Sequence, residues 1–294
     1  MTNEEFKNNF VAFILTHGRA DNVATIRSLR SSGYSGKIIL VLDDEDEQRD
    51  AYFENYGKEN CYVFCKQTYV ETTDNIVRGN RGVIVYARNA CFDIAESLGY
   101  KYFIELDDDY TNFGYRFDSK ARCNQSTIRN LDFVMRRMLE YFISCPFASI
   151  AMAQGGDFIG GKGNVSLKQI GTKRKAMNSF ICSTDRRFKF VGRINEDVNT
   201  YTSLATVGCI FLTIVQLILT QNDTQSKKGG MSDAYWDEGT FQKSFSSVVV
   251  CPSGVTIMMM GDSRKRLHHC VSWRHVAPKI IPEKYKKKCQ EEKT

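Results

Sequence analysis

Apolar bursts and polar, helix-spaced stretches alternate along the first third of the chain. Residues 10–15 are uniformly apolar and give way to Thr16-His17-Gly18-Arg19, the pattern of a buried strand that ends in a loop. A helix running towards Arg30 follows, with Asp21 or Asn22 placed to cap it and Ser31-Ser32-Gly33 to end it. Residues 37–42 predict a second strand, which runs straight into Asp43-Asp44-Glu45-Asp46-Glu47. A short third strand is predicted over 61–65, and helical periodicity over 85–98 is stopped by Gly99. The next strand, 101–106, ends abruptly in Asp107-Asp108-Asp109. This alternation predicts a doubly wound α/β fold with a mainly parallel sheet. Such sheets bind ligands just past the carboxyl ends of their strands. Both acidic clusters and His17-Gly18-Arg19 fall there.

The second half is more mixed. A helix is predicted over 126–144 and a strand over 148–153, followed by a loop carrying Gly155, Gly156, Gly160, Gly161 and Gly163. Residues 180–190 are strand-like and lead into Gly192-Arg193-Ile194-Asn195-Glu196-Asp197. Strands over 209–219 and 246–250 flank a polar, glycine-containing stretch, 221–233, with the composition of a lid. No internal repeat or domain linker interrupts the pattern, so one domain is expected.

Composition narrows the class. With 42% apolar and 25% charged residues in 294, the chain is globular rather than disordered. Its 10 cysteines show neither a CxxC pair nor a zinc spacing, so free thiols in a reducing compartment are expected. The polar start lacks a signal-peptide pattern, and the most apolar run, 207–219, is shorter than the roughly 20 residues that cross a bilayer. A soluble, cytoplasmic protein is expected. A net charge of +6 suits a polyanionic or phosphate-bearing partner and equally an ordinary basic surface.

The chemistry concentrates in a few places. An apolar strand that delivers three carboxylates to one turn creates repulsion that a divalent cation relieves, and hard oxygen ligands suit Mg2+ or Mn2+. A nucleoside diphosphate is the natural companion, because the metal neutralises it as a leaving group. The alternative is a solvated acidic turn. Glu196-Asp197 opens a predicted helix, where carboxylates are favoured electrostatically. It also supplies what a hydroxyl nucleophile needs, a base. His268-His269 stands beside Arg264, Lys265 and Arg266. One of that pair suits a metal shell, and the basic residues suit phosphates.

The order Arg81-Gly82, Ala87-Arg88-Asn89, apolar strand, Asp107-Asp108-Asp109 resembles the donor-binding half of GT-A glycosyltransferases. The resemblance implies a Rossmann-like sheet flanked by helices, a nucleotide-sugar donor and Mn2+ or Mg2+. It makes Asp109 the metal ligand and Asp107 a ribose or shared metal ligand, with Asp108 beside them on the donor side. It sets Asp43 at the uracil or ribose, with His17 and Arg19 nearby, and Arg88 at the diphosphate or base. A helix-surface role is the other reading of Arg88. Glu196 positions the acceptor and Asp197 acts as base, suggesting inversion. His269, or else His268, completes the metal shell.

Longer stretches are similar to one group within that class. Phe188-Lys189-Phe190-Val191-Gly192-Arg193-Ile194-Asn195-Glu196-Asp197-Val198-Asn199, Gly229-Gly230-Met231-Ser232-Asp233 and Pro278-Lys279-Ile280-Ile281 resemble the phage TET-associated glycosyltransferases. That resemblance implies a single domain with a nucleotide-sugar half over 1–110, an acceptor half over 111–282 and a charged tail over 283–294. It implies a UDP-hexose or UDP-acetylhexosamine donor and an acceptor hydroxyl on 5-hydroxymethylcytosine in DNA, made beforehand by a TET-like dioxygenase. Lys227, Lys228, Tyr235 and Trp236, with Trp273 and the Lys286-Lys287-Lys288 run, are then candidates for touching DNA. A metal-dependent nucleotidyltransferase and a catalytically inactive, nucleic-acid-binding domain remain as alternatives.

Overall fold

The computed structural model describes residues 1–70, 81–120, 122–154, 174–221, 231–260 and 266–283. For 231–240, 260 and 266 it describes the backbone alone. A short capped helix, α1 (Asn3–Asn9), opens the chain; Thr2 and Glu5 close its capping box. The order then runs β1 (Phe10–Leu15), α2 (Ala24–Ser31), β2 (Lys37–Asp43), α3 (Arg49–Tyr56), β3 (Cys61–Phe64), α4 (Lys66–Val70), α5 (Val85–Ser97) and β4 (Tyr102–Asp107). After the acidic turn come β5 (Tyr110–Phe117), β6 (Cys123–Thr127), α6 (Leu131–Ser144), β7 (Phe147–Gln154) and β8 (Ser179–Ser183). The chain closes with α7 (Glu196–Thr206), β9 (Ile210–Gln221), α8 (Met231–Val250), β10 (Val255–Met260), β11 (Arg266–Val271) and α9 (Trp273–Val276).

Among the described residues nine strands form one sheet in the order β3-β2-β1-β4-β8-β7-β9-β5-β6. The pairings make β1, β2, β3, β4, β6, β7 and β9 run one way and only β5 and β8 the other. The expected mixed, mainly parallel sheet flanked by helices is therefore present. β10 and β11 form a separate hairpin that packs on α8.

The two faces of the sheet separate residue by residue. Phe10, Ala12 and Ile14 of β1 join one apolar cluster with Tyr52 of α3 and Leu131, Met135, Leu139 and Phe142 of α6. Val11, Phe13 and Leu15 join the other, with Val85, Ala90, Phe92 and Ile94 of α5 and Val198 and Tyr201 of α7. Burial on both faces is why β1 reads as an unbroken apolar run rather than an alternating one.

Several local expectations are corrected. Neither Asp21 nor Asn22 caps α2; the cap is Val23, which makes no side-chain bond. The Thr25 N–H instead donates to the Asp108 carbonyl at 3.1 Å. The Thr25 hydroxyl donates to the Asp107 carbonyl at 2.6 Å and accepts the Tyr110 N–H at 2.9 Å. The start of α2 thus pins the acidic turn. Gly33 ends the helix as expected: its φ is +87° and a Cβ there would meet the Arg129 carbonyl at 2.5 Å. The helix expected over 126–144 begins only at Leu131, where Asn130 caps it by accepting the Phe133 N–H at 3.3 Å. Ser126 and Thr127 belong to β6. The strand expected over 180–190 stops at Ser183 and turns through a short 3-10 helix, Thr184–Arg186. The strand expected over 246–250 is the last turn of α8. Phe241, Phe245 and Val249 point outward at a spacing of four, a helical period, while Ser244, Ser247 and Cys251 point inward. The glycine-rich loop over 155–163 lies outside the described residues, as does 222–230 of the expected lid.

No described helix is long and apolar enough to cross a membrane.

Candidate active site

Parallel pairing sets Leu15 of β1 opposite both Val41 of β2 and Asp107 of β4. The loops after β1, β2 and β4 therefore leave the sheet along one edge, and they carry His17-Gly18-Arg19, the Asp43 cluster and the Asp107-Asp108-Asp109 turn.

The three aspartates of that turn have different surroundings. Asp108 faces inward, where Arg19 Nη1 donates to Oδ1 at 2.7 Å and Thr16 Oγ1 donates to Oδ2 at 2.7 Å. It braces the β1 loop against the turn. Asp107 stays 19% exposed and accepts from Arg88 Nη2 at 3.0 Å. Asp109 carries a buried Oδ1 with no hydrogen-bond partner among the described residues. Burial first, and then the charge of Asp108, pushes the Asp109 carboxyl above its ordinary value.

The run after β2 is largely consumed by the fold. Asp43 pairs with His17 Nδ1 at 2.8 Å and with the buried Lys66 Nζ at 2.7 Å. Burial pushes Asp43 up, but the bonds to His17 and Lys66 outweigh it and hold the carboxyl below its usual value. The bond to Asp43 raises His17 in turn. Asp46 accepts the Gly18 N–H at 2.9 Å, and Asp44 accepts the Lys66 N–H at 2.9 Å. His17 and Asp43 thus face the strand edge as one pre-formed pair.

Arg88 is 1% exposed, sunk between the Phe180 and Phe190 rings at 5.4 and 5.7 Å. Its Nε donates to Glu196 at 3.0 Å, Nη1 to Glu105 at 3.4 Å, and Nη2 to Asp107 at 3.0 Å and Asn178 at 3.3 Å. Sequence reasoning offered Arg88 as a diphosphate or base contact or a surface arginine. The structure places it in the core, with its donors committed to protein oxygens. One guanidinium therefore joins the end of β4 to the start of α7.

Asp197 follows Glu196 in the first turn of α7 and is buried beside it. Burial, with Glu196 adding, pushes Asp197 up to about 6, against the pull of the Val198 N–H, Arg88 and Lys243. Burial likewise pushes Glu105 up to about 8 and Asp107 up to about 7, both against Arg88. Glu105, Asp107 and Glu196 thus share Arg88 as ion-pair partner, and Asp197 also feels its charge. Asp109 on the neighbouring turn feels Arg19 instead. Carboxylates outnumber the arginines in this group.

A sequence profile for the TET-Associated Glycosyltransferase family matches residues 10–230 of the chain. The chain belongs to the TET-associated glycosyltransferases. Sugar transfer is the reaction class of the family. No curated protein sequence matches the chain. Solved structures with a similar course include glucosyl-3-phosphoglycerate synthase from Mycobacterium tuberculosis with Mg2+ and UDP, at 9% identity, a TM-score of 0.47 and 92% coverage of each chain. The mannosyltransferase PcManGT from Pyrobaculum calidifontis with GDP-Man and Mn2+ gives 11% identity, a TM-score of 0.48, and coverage of 82% of this chain and 64% of its own. S. aureus TarS 1-349 with UDP-GlcNAc gives 13%, 0.44, 78% and 64% respectively.

In this glycosyltransferase, Asp107 and Asp109 fit a divalent cation. Magnesium is held in nucleotide sites by one or two carboxylates plus substrate phosphates, not by a full protein cage. A buried Oδ1 without a described hydrogen-bond partner, beside a second carboxylate, would supply that half-shell. Among the described residues no three His, Cys, Asp or Glu side chains form a metal-holding group. His268 and His269 sit on β11, rings 4.3 Å apart, and the His268 Nδ1 bonds the His269 carbonyl at 2.7 Å. Burial, followed by His268, Lys243 and Lys175, pushes His269 down to about 3, so its ring is neutral near pH 7.

Of the residues suggested for DNA contact, Lys227, Lys228 and Lys286-Lys287-Lys288 lie outside the described residues, as do Arg264 and Lys265. Tyr235 and Trp236 lie on α8 where only the backbone is described. Trp273 stacks on Tyr201 at 5.7 Å and 17°, packed against the core. Glu105, Asn178, Lys66 and Tyr52 escaped the sequence reading. Glu105 was legible in principle, an acid inside an otherwise apolar strand; the other three carry no local signal.

The acid-rich cluster predicts an unusual pH response for metal-free protein. Carboxyls whose folded pKa values are raised bind protons in the folded state that the unfolded chain has already released. Their stabilising contribution is complete only below the ordinary values of 3.8 for Asp and 4.5 for Glu, and is lost as pH rises through about 6, 7 and 8, the values of Asp197, Asp107 and Glu105. Chelator-treated protein is expected to melt at a higher temperature at pH 5 than at pH 8. A melting temperature that climbs between those pH values would remove the inference.

Proposed function

We propose that this glycosyltransferase moves a sugar from a UDP-linked donor to the hydroxymethyl oxygen of 5-hydroxymethylcytosine in DNA, with a divalent metal and with inversion at the anomeric carbon. The observation that carries the site assignment is the buried Asp109 Oδ1, without a hydrogen-bond partner among the described residues, on the turn whose Asp107 shares Arg88 with Glu105 and Glu196. Asp107 and Asp109 would hold Mn2+ or Mg2+. Bound there, the metal would neutralise the diphosphate as it departs. His17 and Asp43, paired at the neighbouring strand end, would meet the uracil or ribose; Arg19 and Asp108 brace that loop. Arg88 keeps Asp107 and Glu196 in register.

Asp197 is the general base, and Glu196 positions the acceptor. The acceptor O–H proton passes to an Asp197 oxygen as the acceptor oxygen bonds the anomeric carbon and the bond from that carbon to the diphosphate breaks. A base poised at about 6 is ionised at neutral pH yet less acidic than an ordinary aspartate. A DNA acceptor agrees with the family's association and with the net charge of +6, and it puts the reaction in a cell's cytoplasm after a TET-like dioxygenase. Lys227, Lys228, Tyr235 and Trp236 would contact the acceptor strand.

The test is an intact-nucleoside mass measurement. Duplex DNA containing 5-hydroxymethylcytosine is incubated with protein, Mn2+ and mixed UDP-sugars, then digested. A hexose- or acetylhexosamine-sized gain on that nucleoside is expected. Donor hydrolysis without a gain would redirect the acceptor. Neither signal, with no UDP binding, would favour a non-catalytic DNA-binding domain. In the same assay Asp197→Asn is expected to lower transfer by about 10²–10⁴-fold while UDP still binds. The wild-type rate should rise with pH through about 6. Loss of UDP affinity in that variant would reassign Asp197 to the donor.

A further inference from the structure

Asn195, immediately before Glu196-Asp197, is one of two described non-glycine residues with positive φ, at φ +53° and ψ +40°. Left-handed backbone costs most side chains roughly 1–2 kcal/mol, and Asn tolerates it better than others. Asn195 does not cap its own helix: its side chain makes no bond to the first turn of α7. It reaches away instead. Its Nδ2 donates to the Lys243 carbonyl at 2.6 Å and to Ser247 Oγ at 3.2 Å, both on α8. A carbonyl in the body of a helix already accepts from within that helix, so this is an added tie rather than a terminal one. The far side of the turn is fixed too. Asn199 donates to the Ile194 carbonyl at 2.9 Å, and a Cβ on Gly192 would lie 2.2 Å from the Asn199 Nδ2.

We infer that Asn195 is a positioning residue that ties the Glu196-Asp197 turn to α8, so that the placement of α8 sets the geometry of the base. This rests on the reading of Asp197 as base. Among the described hydrogen bonds, Arg88 links Glu196 to β4, while Asp197 is aimed by the turn itself. The Asn195 tie supplies that aim. A misplacement of about 1 Å at a reacting group can cost on the order of 10²-fold in rate.

The experiment compares wild type, Asn195→Gly, Ser247→Ala and Asp197→Asn. Glycine keeps access to the left-handed conformation, so Asn195→Gly removes the tie without adding backbone strain. Its expected signature is a kcat at least about tenfold below wild type, an unchanged donor KM, UDP and Mn2+ binding within twofold, and a near-native Tm. Ser247→Ala, which removes the weaker acceptor, should show a smaller loss of the same kind and stands in if Asn195→Gly fails to fold. Wild-type kcat in a folded Asn195→Gly, alongside an inactive Asp197→Asn, overturns the inference alone. An Asp197→Asn variant as active as wild type overturns the base assignment and this inference with it. A loss confined to donor KM would make Asn195 a donor-site residue and also overturn it.

Discussion

Asp109→Ala is expected to abolish metal-dependent transfer while leaving the fold intact. The two halves of that expectation have separate causes. Structurally, Asp109 is spare: its buried Oδ1 has no hydrogen-bond partner among the described residues, and burial and Asp108 raise its carboxyl. The turn is held by other groups, namely Thr25 on the Asp107 and Asp108 carbonyls and Thr16 with Arg19 on the Asp108 side chain. Removing Asp109 therefore breaks no described hydrogen bond and relieves repulsion, so the metal-free variant should melt no lower than wild type. Functionally, the same carboxylate is half of the proposed metal site. A metal contributes several kcal/mol of charge stabilisation at a leaving diphosphate, so a loss on the order of a thousandfold or more is expected. Two measurements check this: turnover of a UDP-sugar, and the thermal shift that Mn2+ with UDP produces in wild type. Turnover near wild type would remove Asp109 from the metal site. A normal thermal shift with lost turnover would keep the metal and assign Asp109 to the chemistry.

The contrast between Asp108 and Asp109 also marks how far the sequence carries. Strands β1, β2 and β4 were legible because buried parallel strands are continuous apolar runs, and their acidic ends mark the ligand edge. Which carboxylate of the turn is committed and which is spare was not legible. That depends on Thr16 and Arg19, 92 and 89 residues away in sequence. Arg88 was misplaced for the same reason: its partner Glu196 lies 108 residues on. Local patterning failed where it was ambiguous rather than absent. Val248-Val249-Val250 has the composition of a strand, yet it is the end of a helix, with Val248 packed against Cys251, Val255 and Val276 and Val249 exposed. Two strands, β5 and β6, had no such run to announce them; β10 did, Val255-Thr256-Ile257-Met258-Met259-Met260, but its partner β11 is interrupted by His268 and His269. The left-handed turn at Asn195 had only a hint, since Asn is among the residues that adopt it.

Arg88→Met is expected to cost stability before activity. The guanidinium is the shared partner of Glu105, Asp107 and Glu196, and Glu105 is fully buried. Removing one member of a buried ionic group leaves uncompensated charge and typically costs about 3–5 kcal/mol. Here three carboxylates lose their partner at once, but they have an escape: each can take up a proton. Burial already raises Glu105 to about 8 and Asp107 to about 7 with Arg88 in place, and Arg88 is the force that lowers both. Without it the two pKa values must climb further, so both carboxyls of the variant stay protonated to higher pH than in wild type. Its stability should then fall more steeply with rising pH than that of wild type. At pH 7–8 a Tm drop on the order of 10 °C is expected for a chain of this size, with much of it recovered near pH 5. Arg88→Lys retains the charge but not the fork that reaches three partners, so it should fall between. A pH-independent loss would mean that packing between Phe180 and Phe190, rather than charge, is what Arg88 contributes. An unchanged Tm at every pH would show that these carboxylates do not depend on it.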